Sequence, residues 1–423
     1  MTLGITSRYC PGYIILTLMA ALLLAGCAHI KTTPNTELDF NASLLGGFVY
    51  ADAQKQGPII ITAYRTRNGK IETAGHVRLV QSGTFYLPVP PGMYYLAAFL
   101  DSNENEAYDP NEDWAQFGTP DLINAAPQYF VTDLNMVLGS DQLHSHPHLE
   151  NIRINKSDIV NQAVAGKTVL PSVLFDRSTH VGLGYVKPYY FLERMEANIW
   201  FVEPYDPGKI PILYVHGSGG SPADWRYFAE NIDRSVCQPW FFYYPSGLSL
   251  EFSAKLLASK IRELHTKYKI EKMAIVAHSM GALVARSVLV HSKKRFPYIQ
   301  LFVSISAPWG GVESAKVGAE KSPIKVASWR DIATGSYFIN SLYEHKLPES
   351  LRHYLLFGYQ DKQNSFNPDN DGVITFKSML DDRAQQEAIR VYGFNENHVS
   401  ILRSADTLAF VRNIIRQEIS PDK

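Results

Sequence analysis

Residues 273–282 read Met-Ala-Ile-Val-Ala-His-Ser-Met-Gly-Ala, and this stretch decides the fold of the second half of the chain. Its first five residues form a continuous apolar run, which predicts a strand buried on both faces of a parallel sheet. The turn that follows carries Ser279, with the small residues Ala277 and Gly281 two places away on either side. Small residues there let the chain turn sharply from a strand into a helix, and the apolar residues after the turn predict that helix.

Further apolar runs and amphipathic segments alternate on both sides of this turn. The runs predicted to be buried strands lie at 210–215, 239–244, 299–305, 354–357 and 389–392. A helical period of apolar residues begins after Ser249 and recurs near the C-terminus. Another helix is predicted after the turn His216-Gly-Ser-Gly-Gly220, where Ser221 is a suitable N-cap. The alternation predicts an α/β fold with a mostly parallel sheet.

The stretch Ala277-His-Ser-Met-Gly281 resembles the nucleophile elbow of the α/β-hydrolases, with alanine at its first position in place of glycine. The resemblance covers about residues 205–418 and implies that the fold is that of an α/β-hydrolase and that Ser279 is the nucleophile. His278 lies inside the motif but points away from the reacting group in this fold, so it is not expected to be the base. A serine hydroxyl needs a separate base, which an acid orients.

His398 is the expected base, because in this fold the histidine follows the serine and the acid along the chain. It comes after the predicted strand 389–392 and a short loop with Gly and Asn, and an amphipathic helix follows it. The family's histidine occupies that place. Three other histidines fit less well, because they end the elbow helix, lie in a polar insertion or begin a strand: His291, His345 and His353.

Residues 367–374, Asn-Pro-Asp-Asn-Asp-Gly-Val-Ile, resemble the segment of bacterial lipases in which the aspartate before Gly-Val is the acid of the triad. Asp371 is the match, and Ser378 stands at the downstream serine of that segment. Asp369 is a close competitor two residues away. Asp361, directly after the predicted strand 354–357, is a weaker alternative.

The resemblance implies the chemistry of a serine esterase or lipase. His398 removes the proton of Ser279 as its hydroxyl attacks an ester carbonyl, and Asp371 holds the imidazole. The oxyanion is met by the backbone N–H groups of Ser218 and Met280. The expected substrate is an acyl ester of a lipid, and no cofactor is expected for catalysis.

The segment between two of the predicted core strands is long. Residues 306–311, Ser-Ala-Pro-Trp-Gly-Gly, resemble the segment after the same strand in lipases. About residues 312–350 then mix aromatic and apolar groups with charges, and an insertion of this length should carry structure of its own. A cap or lid that shapes an acyl pocket is predicted, and a simple packing insertion is the alternative.

The first 26 residues have the pattern of a bacterial lipoprotein signal peptide. Arg8 precedes an apolar run at 13–25, which is short for a membrane span but right for a signal-peptide core. Leu24-Ala-Gly-Cys27 resembles the lipobox, which implies that Cys27 is acylated and becomes the first residue. Ala28 in place of aspartate favours the outer membrane of a Gram-negative host. An ordinary signal sequence is the alternative. With the lipobox, cleavage removes Cys10 and lipidation consumes Cys27, so Cys237 is left without a disulfide partner.

Between a polar tether at 27–44 and the α/β part, short strand-like runs alternate with Gly and Pro turns. The runs lie at 47–51, 59–64, 77–80, 84–89, 93–100 and 129–138. They predict a small all-β sandwich at 45–150, followed by a connector at 151–195 and the catalytic domain at 196–423. Residues 85–96 resemble the hairpin of transthyretin-like or carboxypeptidase-regulatory-like modules.

A polar loop in the β domain has oxygen-bearing side chains at the spacing of an EF-hand calcium loop. These are Asp101, Asn103, Asn105, Asp109 and Glu112. Glu106 replaces the glycine of the sharp turn, and no helical pattern flanks the loop, so a structural calcium is predicted and a merely acidic surface loop is the alternative. A second pattern, of alternating histidines, is more typical of a solvated interdomain loop than of a metal site: His144, His146 and His148.

The charge of the chain excludes one class of partner. The formal net charge is −1 and no basic run occurs, so no nucleic-acid partner is expected. The predicted partners are an acyl-ester substrate and, through the lipid anchor, a membrane of the cell envelope. Two other functions stay open: an acyltransferase with the same triad, and a non-catalytic envelope lipoprotein that binds a partner or glycan through its sandwich.

Overall fold

The structure is a computed structural model of the chain. It describes residues 42–117, 122–127, 129–139, 152, 154, 159–162, 164–176, 182–194, 197–291, 296–322, 326–360 and 369–419. The predicted signal peptide, Cys27, the tether up to residue 41, the three alternating histidines and Asp361 lie outside these residues. No helix within the described ranges is long and apolar enough to cross a lipid bilayer.

The N-terminal part is a small β domain. Its described strands are Ser43–Tyr50 (β1), Ile59–Arg67 (β2), Lys70–Leu79 (β3), Gly83–Val89 (β4), Gly92–Leu100 (β5), Trp114–Phe117 (β6), Ile123–Ala125 (β7), Phe130–Val131 (β8), Met136–Val137 (β9) and Ile159–Asn161 (β10). One sheet has the order β4-β1-β8, with β9 also paired to β1. The other has the order β10-β3-β2-β5-β6, with β7 paired to β5.

The two sheets share one hydrophobic core. Successive side chains of a strand point to opposite faces, and the inward set from both sheets is buried together, including Leu45, Ile61, Phe85 and Leu96. The prediction of one strand at 129–138 is wrong, because the chain forms the two short strands β8 and β9 instead. Asp133 between them has a φ of 65°, which breaks an extended strand.

The C-terminal part contains one mostly parallel sheet. Its strands are Lys167–Thr168 (β11), Asn198–Phe201 (β12), Ile210–Val215 (β13), Cys237–Tyr243 (β14), Met273–His278 (β15), Ile299–Ile305 (β16), Arg352–Gly358 (β17) and Arg390–Phe394 (β18). Their order is β11-β12-β14-β13-β15-β16-β17-β18. The pair β12 and β14 is antiparallel and the other neighbouring pairs are parallel. Strands β13 and β15 are buried throughout, as their continuous apolar runs predict.

Helices connect and cover these strands. They are Pro171–Leu174 (α1), Leu183–Val186 (α2), Pro188–Arg194 (α3), Arg226–Asn231 (α4), Leu250–Tyr268 (α5), Met280–His291 (α6), Glu313–Lys321 (α7), Ala327–Ile332 (α8), Tyr337–Ser341 (α9), Phe376–Met379 (α10), Asp382–Gln385 (α11) and Ala405–Glu418 (α12), with 3-10 turns at Pro222–Trp225 and Ser400–Arg403. Ser249 caps α5 by accepting the N–H of Phe252. Helices α7 to α9 fill the insertion between β16 and β17, where Trp329 and Ile339 are buried.

The β domain packs directly on the α/β part. Leu44 and Tyr86, on the outer face of β1 and β4, belong to the same buried cluster as the α/β core. The Phe130 ring meets the Phe252 ring of α5 edge to face, with centroids 4.9 Å apart. The Tyr86 hydroxyl donates to the Ala197 carbonyl at 2.9 Å. The β domain and the α/β part are therefore joined by apolar packing and by a hydrogen bond.

Candidate active site

The turn after β15 has the strained geometry that its sequence predicts. Ser279 has a φ of 52°, a left-handed conformation that costs energy for a residue with a side chain. Its N–H donates to the Ile305 carbonyl of the neighbouring strand at 2.8 Å, which holds the turn in place. A Cβ added at Gly281 would lie 2.3 Å from the His216 carbonyl oxygen, so no larger residue fits there. The turn presents the serine at the carboxyl end of the central strand.

Three side chains that are far apart in sequence meet at this turn. His398 Nε2 lies 3.0 Å from Ser279 Oγ, and His398 Nδ1 lies 2.6 Å from Asp371 Oδ2. The residues Ser279, Asp371 and His398 are 7%, 0% and 7% exposed. The backbone N–H of His398 also donates to the Asp371 carbonyl at 2.8 Å, which ties the two loops together. A hydroxyl, an imidazole and a carboxylate thus form one continuous hydrogen-bonded chain.

Asp371 is held as a carboxylate. Its Oδ1 accepts the N–H groups of Val373 at 3.1 Å and Ile374 at 2.8 Å, a tight turn that the Asp-Gly pair favours. Burial alone would raise its pKa, but His398 and these N–H groups outweigh burial and lower the pKa below its ordinary value. The competing Asp369 is exposed, so the structure brings Asp371 and not Asp369 to the imidazole.

Ser378 and Cys237 lie away from this chain of contacts. The Ser378 hydroxyl donates to the Gly311 carbonyl at 2.6 Å, so it joins the acid segment to the segment after β16. Cys237 is a buried free thiol at the start of β14. Burial raises the pKa of this thiol to about 12, so it has the properties of a packing group and not of a nucleophile.

His278 has a role that the sequence did not reveal. It is not the base, but its Nε2 donates to the backbone carbonyl of His398 at 2.8 Å. Burial, together with the neighbouring His398, lowers the pKa of His278 to about 3, so its ring is neutral at ordinary pH. The elbow therefore holds the backbone of His398, the residue that lies over the serine. The only sequence signal for this contact was the position of His278 next to Ser279.

The glycine loop after β13 runs against the serine. A Cβ added at Gly217 would lie 3.0 Å from the Ser279 Cβ, so the loop residue before Ser218 packs against the nucleophile. On the other side is the N–H of Met280, the first residue of α6. The first N–H groups of a helix have no acceptor within the helix. Ser218 and Met280 thus belong to the two segments next to the serine, and their role as oxyanion donors stays a prediction.

His216 fixes the direction of one of these donors. Its Nδ1 lies 2.8 Å from the Gly217 carbonyl, and the N–H of Tyr244 approaches its Nε2 at 3.4 Å. Burial lowers the pKa of His216 to about 4, so a neutral ring accepts at Nε2 and donates from Nδ1 to Gly217. The C=O and N–H of a trans peptide point in opposite directions. Holding the Gly217 oxygen therefore turns the N–H of Ser218 the other way.

The polar loop of the β domain is closed by its own carboxylates. Asp101 accepts the N–H groups of Asn105 and Glu106, each at 3.0 Å, and Glu112 accepts the N–H of Ser102 at 2.7 Å. Glu106 has a φ of 63°, the conformation for which calcium loops use glycine. Within the described ranges no group of three or more His, Cys, Asp or Glu residues is arranged to hold a metal ion. Calcium at this loop stays a prediction.

A cleft of about 900 Å³ lies between the β domain, α5 and the helices α7 to α9 of the insertion. Phe130, Lys255 and Phe338 are among its lining residues, but Ser279, Asp371 and His398 are not. The cleft is therefore separate from the hydrogen-bonded chain at the elbow.

Comparison with known proteins agrees with the fold. The family described as "Alpha/beta hydrolase of unknown function (DUF915)" matches residues 248–418. No curated protein matches the sequence significantly. Similar solved structures include a Bacillus licheniformis lipase in mature form, which is 20% identical with a TM-score of 0.44 and covers 52% of this chain and 98% of that chain. Aspergillus fumigatus lipase B is 13% identical with a TM-score of 0.41, over 53% of this chain and 57% of that chain.

A third similar structure is phospholipase PlaB from Legionella pneumophila in complex with thio-NAD, which is 15% identical with a TM-score of 0.35 and covers 40% of this chain and 44% of that chain. At such identities the substrates named for these proteins do not transfer to this chain. The strained turn at Ser279, the parallel sheet around it and the family match over residues 248–418 are properties of the chain itself. The C-terminal part of the protein has the α/β-hydrolase fold.

Proposed function

We propose that this protein is a serine hydrolase that cleaves carboxylic esters through an acyl-enzyme. The observation that carries the proposal is the pair of hydrogen bonds from Ser279 Oγ to His398 Nε2, at 3.0 Å, and from His398 Nδ1 to Asp371 Oδ2, at 2.6 Å. A serine hydroxyl becomes a nucleophile when a base takes its proton and an acid stabilises the charged base.

Each step uses a group that lies within reach. Ser279 Oγ attacks the ester carbonyl while His398 takes its proton, and the N–H groups of Ser218 and Met280 donate to the oxyanion. The tetrahedral intermediate collapses, and the leaving alcohol takes the proton back from His398. Water then attacks the acyl group on Ser279 by the same route, and the acid product leaves. Asp371 remains ionised throughout and stabilises the imidazolium.

We propose that the substrate is an acyl ester of a lipid, met at a membrane surface. Apolar surface next to the site supports this, because Val373 and Val399, which follow Asp371 and His398 closely in sequence, are 60% and 53% exposed. The cap helices α7 to α9 carry apolar groups, as a lid over an acyl pocket would. The lipobox-like sequence at Cys27 supports an anchor in the cell envelope, in an outer membrane if the host is Gram-negative.

Hydrolysis of p-nitrophenyl esters of increasing chain length, from acetate to palmitate, tests the proposal. We expect turnover that Ser279→Ala abolishes and that a matched change on the following helix, Ser287→Ala, leaves intact, because Ser287 lies beside His291 and not beside the triad. We also expect release of fatty acid from phospholipid or triglyceride. Turnover of acetate alone would contradict a lipid substrate. A folded wild-type protein that turns over no ester and reacts with no fluorophosphonate would contradict the hydrolase itself.

Acyl transfer shares the same acyl-enzyme, so the test includes a competing acceptor. Adding a long-chain alcohol to the assay diverts the acyl group into a new ester if the protein is a transferase. We expect free acid to remain the main product, as the proposed hydrolysis requires. A new ester as the main product would contradict hydrolysis and favour a transferase.

A further inference from the structure

Ser306 follows the last residue of β16, and its backbone is strained in the same way as that of the nucleophile. Its φ is 48°, a left-handed conformation that costs energy for a residue with a side chain. The residue is 0% exposed, and it takes no part in the proposed reaction steps. Strain of this kind persists only where neighbouring groups hold the backbone in place. The contacts of Ser306 therefore indicate what the strained conformation achieves.

The peptide between Ile305 and Ser306 lies against the elbow. Its carbonyl, that of Ile305, accepts the N–H of Ser279 at 2.8 Å. Its N–H, that of Ser306, donates to the Leu356 carbonyl of β17 at 2.8 Å. The atoms of one peptide unit lie in a plane and move together. This single unit therefore joins the backbone of the nucleophile on one side to β17 on the other.

The Ser306 side chain reaches the end of β17. Its Oγ accepts the N–H of Gly358, the last residue of that strand, at 3.3 Å. The loop at 395–399, called here the His398 loop, lies directly against Gly358. A Cβ added at Gly358 would lie 2.4 Å from the Glu396 carbonyl oxygen, and the N–H of Gln360 donates to that oxygen at 2.9 Å. The position of Gly358 therefore determines where the His398 loop lies.

We propose that Ser306 is a positioning residue that fixes the His398 loop relative to the nucleophile elbow. The inference rests on the proposed function, because it assigns a role in that reaction. The backbone of Ser306 is tied to Ser279, and its hydroxyl is tied to the strand end on which the His398 loop rests. Proton transfer requires Ser279 Oγ and His398 Nε2 to be within hydrogen-bond reach, and a small displacement lowers the rate. Loss of the hydroxyl should slow the chemical step, although Ser306 itself does not touch the triad side chains.

The test uses Ser306→Gly in the full chain, which removes the hydroxyl and keeps a backbone that glycine adopts without steric cost. We expect kcat on a soluble p-nitrophenyl ester to fall about three- to tenfold, with KM changed less than about twofold, the range for one neutral hydrogen bond. Ser306→Ala removes the same hydroxyl but keeps the strained backbone, and we expect the same fall. Wild-type kcat in both variants would overturn the inference.

The matched control is Ser304→Ala, a change two residues earlier on the same strand. Ser304 is 1% exposed, and its Oγ lies 3.0 Å from His353 Nε2 and donates to the Tyr354 carbonyl at 3.3 Å, near the other end of β17. This control loses a buried hydroxyl as well, so it should lower the melting temperature while it keeps the wild-type kcat. A fall in kcat that Ser304→Ala matches would assign Ser306 a structural role and overturn the inference.

Double substitution shows whether Ser306 acts through the base. Ser306→Gly should slow fluorophosphonate labelling of Ser279 about three- to tenfold in an otherwise wild-type chain. The same change should leave the slow labelling of His398→Ala unchanged, because no imidazole remains to be positioned. Equal slowing in both backgrounds would overturn the inference. Absence of both turnover and labelling in the wild type would contradict the proposed function instead, and that failure is distinct from these.

Discussion

Acidification between pH 8 and pH 5 should destabilise the hydrolase domain through three buried histidines. Burial lowers the pKa of His216 to about 4 and those of His278 and His353 to about 3, from an ordinary value of 6.5. Between these values the unfolded chain binds protons that the folded domain does not bind. The stability that the neutral rings contribute is therefore complete above pH 6.5 and is lost as the pH falls below it.

The size of the effect follows from the shifts. At pH 5, which is 1.5 units below the ordinary value of 6.5, each ring lowers the free energy of unfolding by about 2 kcal/mol. Three rings together lower it by about 6 kcal/mol, a large part of the stability of an ordinary domain. Burial raises the pKa of Asp331, and that carboxyl acts in the opposite direction. A single-residue comparison is therefore sharper than the total.

His353→Gln provides that comparison. His353 is 0% exposed and its Nε2 lies 3.0 Å from Ser304 Oγ, a contact that glutamine can replace without titrating. Guanidinium unfolding followed by tryptophan fluorescence reports the domain, because five of the six tryptophans lie in it: Trp200, Trp225, Trp240, Trp309 and Trp329. The variant should lose about 2 kcal/mol of the pH dependence. Ser304→Ala should be less stable at every pH but keep the full dependence. Equal slopes in the wild type and His353→Gln would refute the reasoning.

Two further outcomes follow from the geometry, and a third tests the calcium prediction made from the sequence. Asp371→Asn should lower kcat about 10⁴-fold without unfolding the protein, because the imidazole loses the acceptor that sets its tautomer, whereas Asp369→Asn should keep full activity. Gly281→Ala should lower the melting temperature and kcat together, since the added Cβ would lie 2.3 Å from the His216 carbonyl oxygen. Calcium should raise the melting temperature of the β domain in scanning calorimetry, and this increase should be lost in Asp101→Ala. A wild-type melting temperature that calcium does not change would contradict the calcium prediction.

The elbow could be predicted from the sequence because its determinants are local. Ten residues contain the buried strand, the small residues Ala277 and Gly281, and the start of the helix that follows. Chain order then led to His398, which the structure places over the serine. The choice between Asp369 and Asp371 was harder, because the two carboxylates are two residues apart. Only the fold determines which of them lies under the imidazole.

The contacts made by the connector at residues 151–195 could not be predicted from the sequence. Residues 151–195 have no clear period, so neither α2 nor its hydrogen bond to the turn at Gly247 could be anticipated. The bond from His278 to the His398 carbonyl could not be predicted either. Its acceptor is a backbone oxygen, which every residue has, so no residue type in the sequence indicates it. The division of 129–138 into β8 and β9 depends on one φ angle at Asp133.

The most direct test of the central claim is the site and rate of labelling by a fluorophosphonate, followed by intact-protein and peptide mass spectrometry. The account predicts one adduct per chain, on Ser279, that is absent in Ser279→Ala and forms about a hundredfold or more slowly in His398→Ala, because the base no longer takes the proton. An adduct on another residue, or labelling of His398→Ala at the wild-type rate, would contradict it.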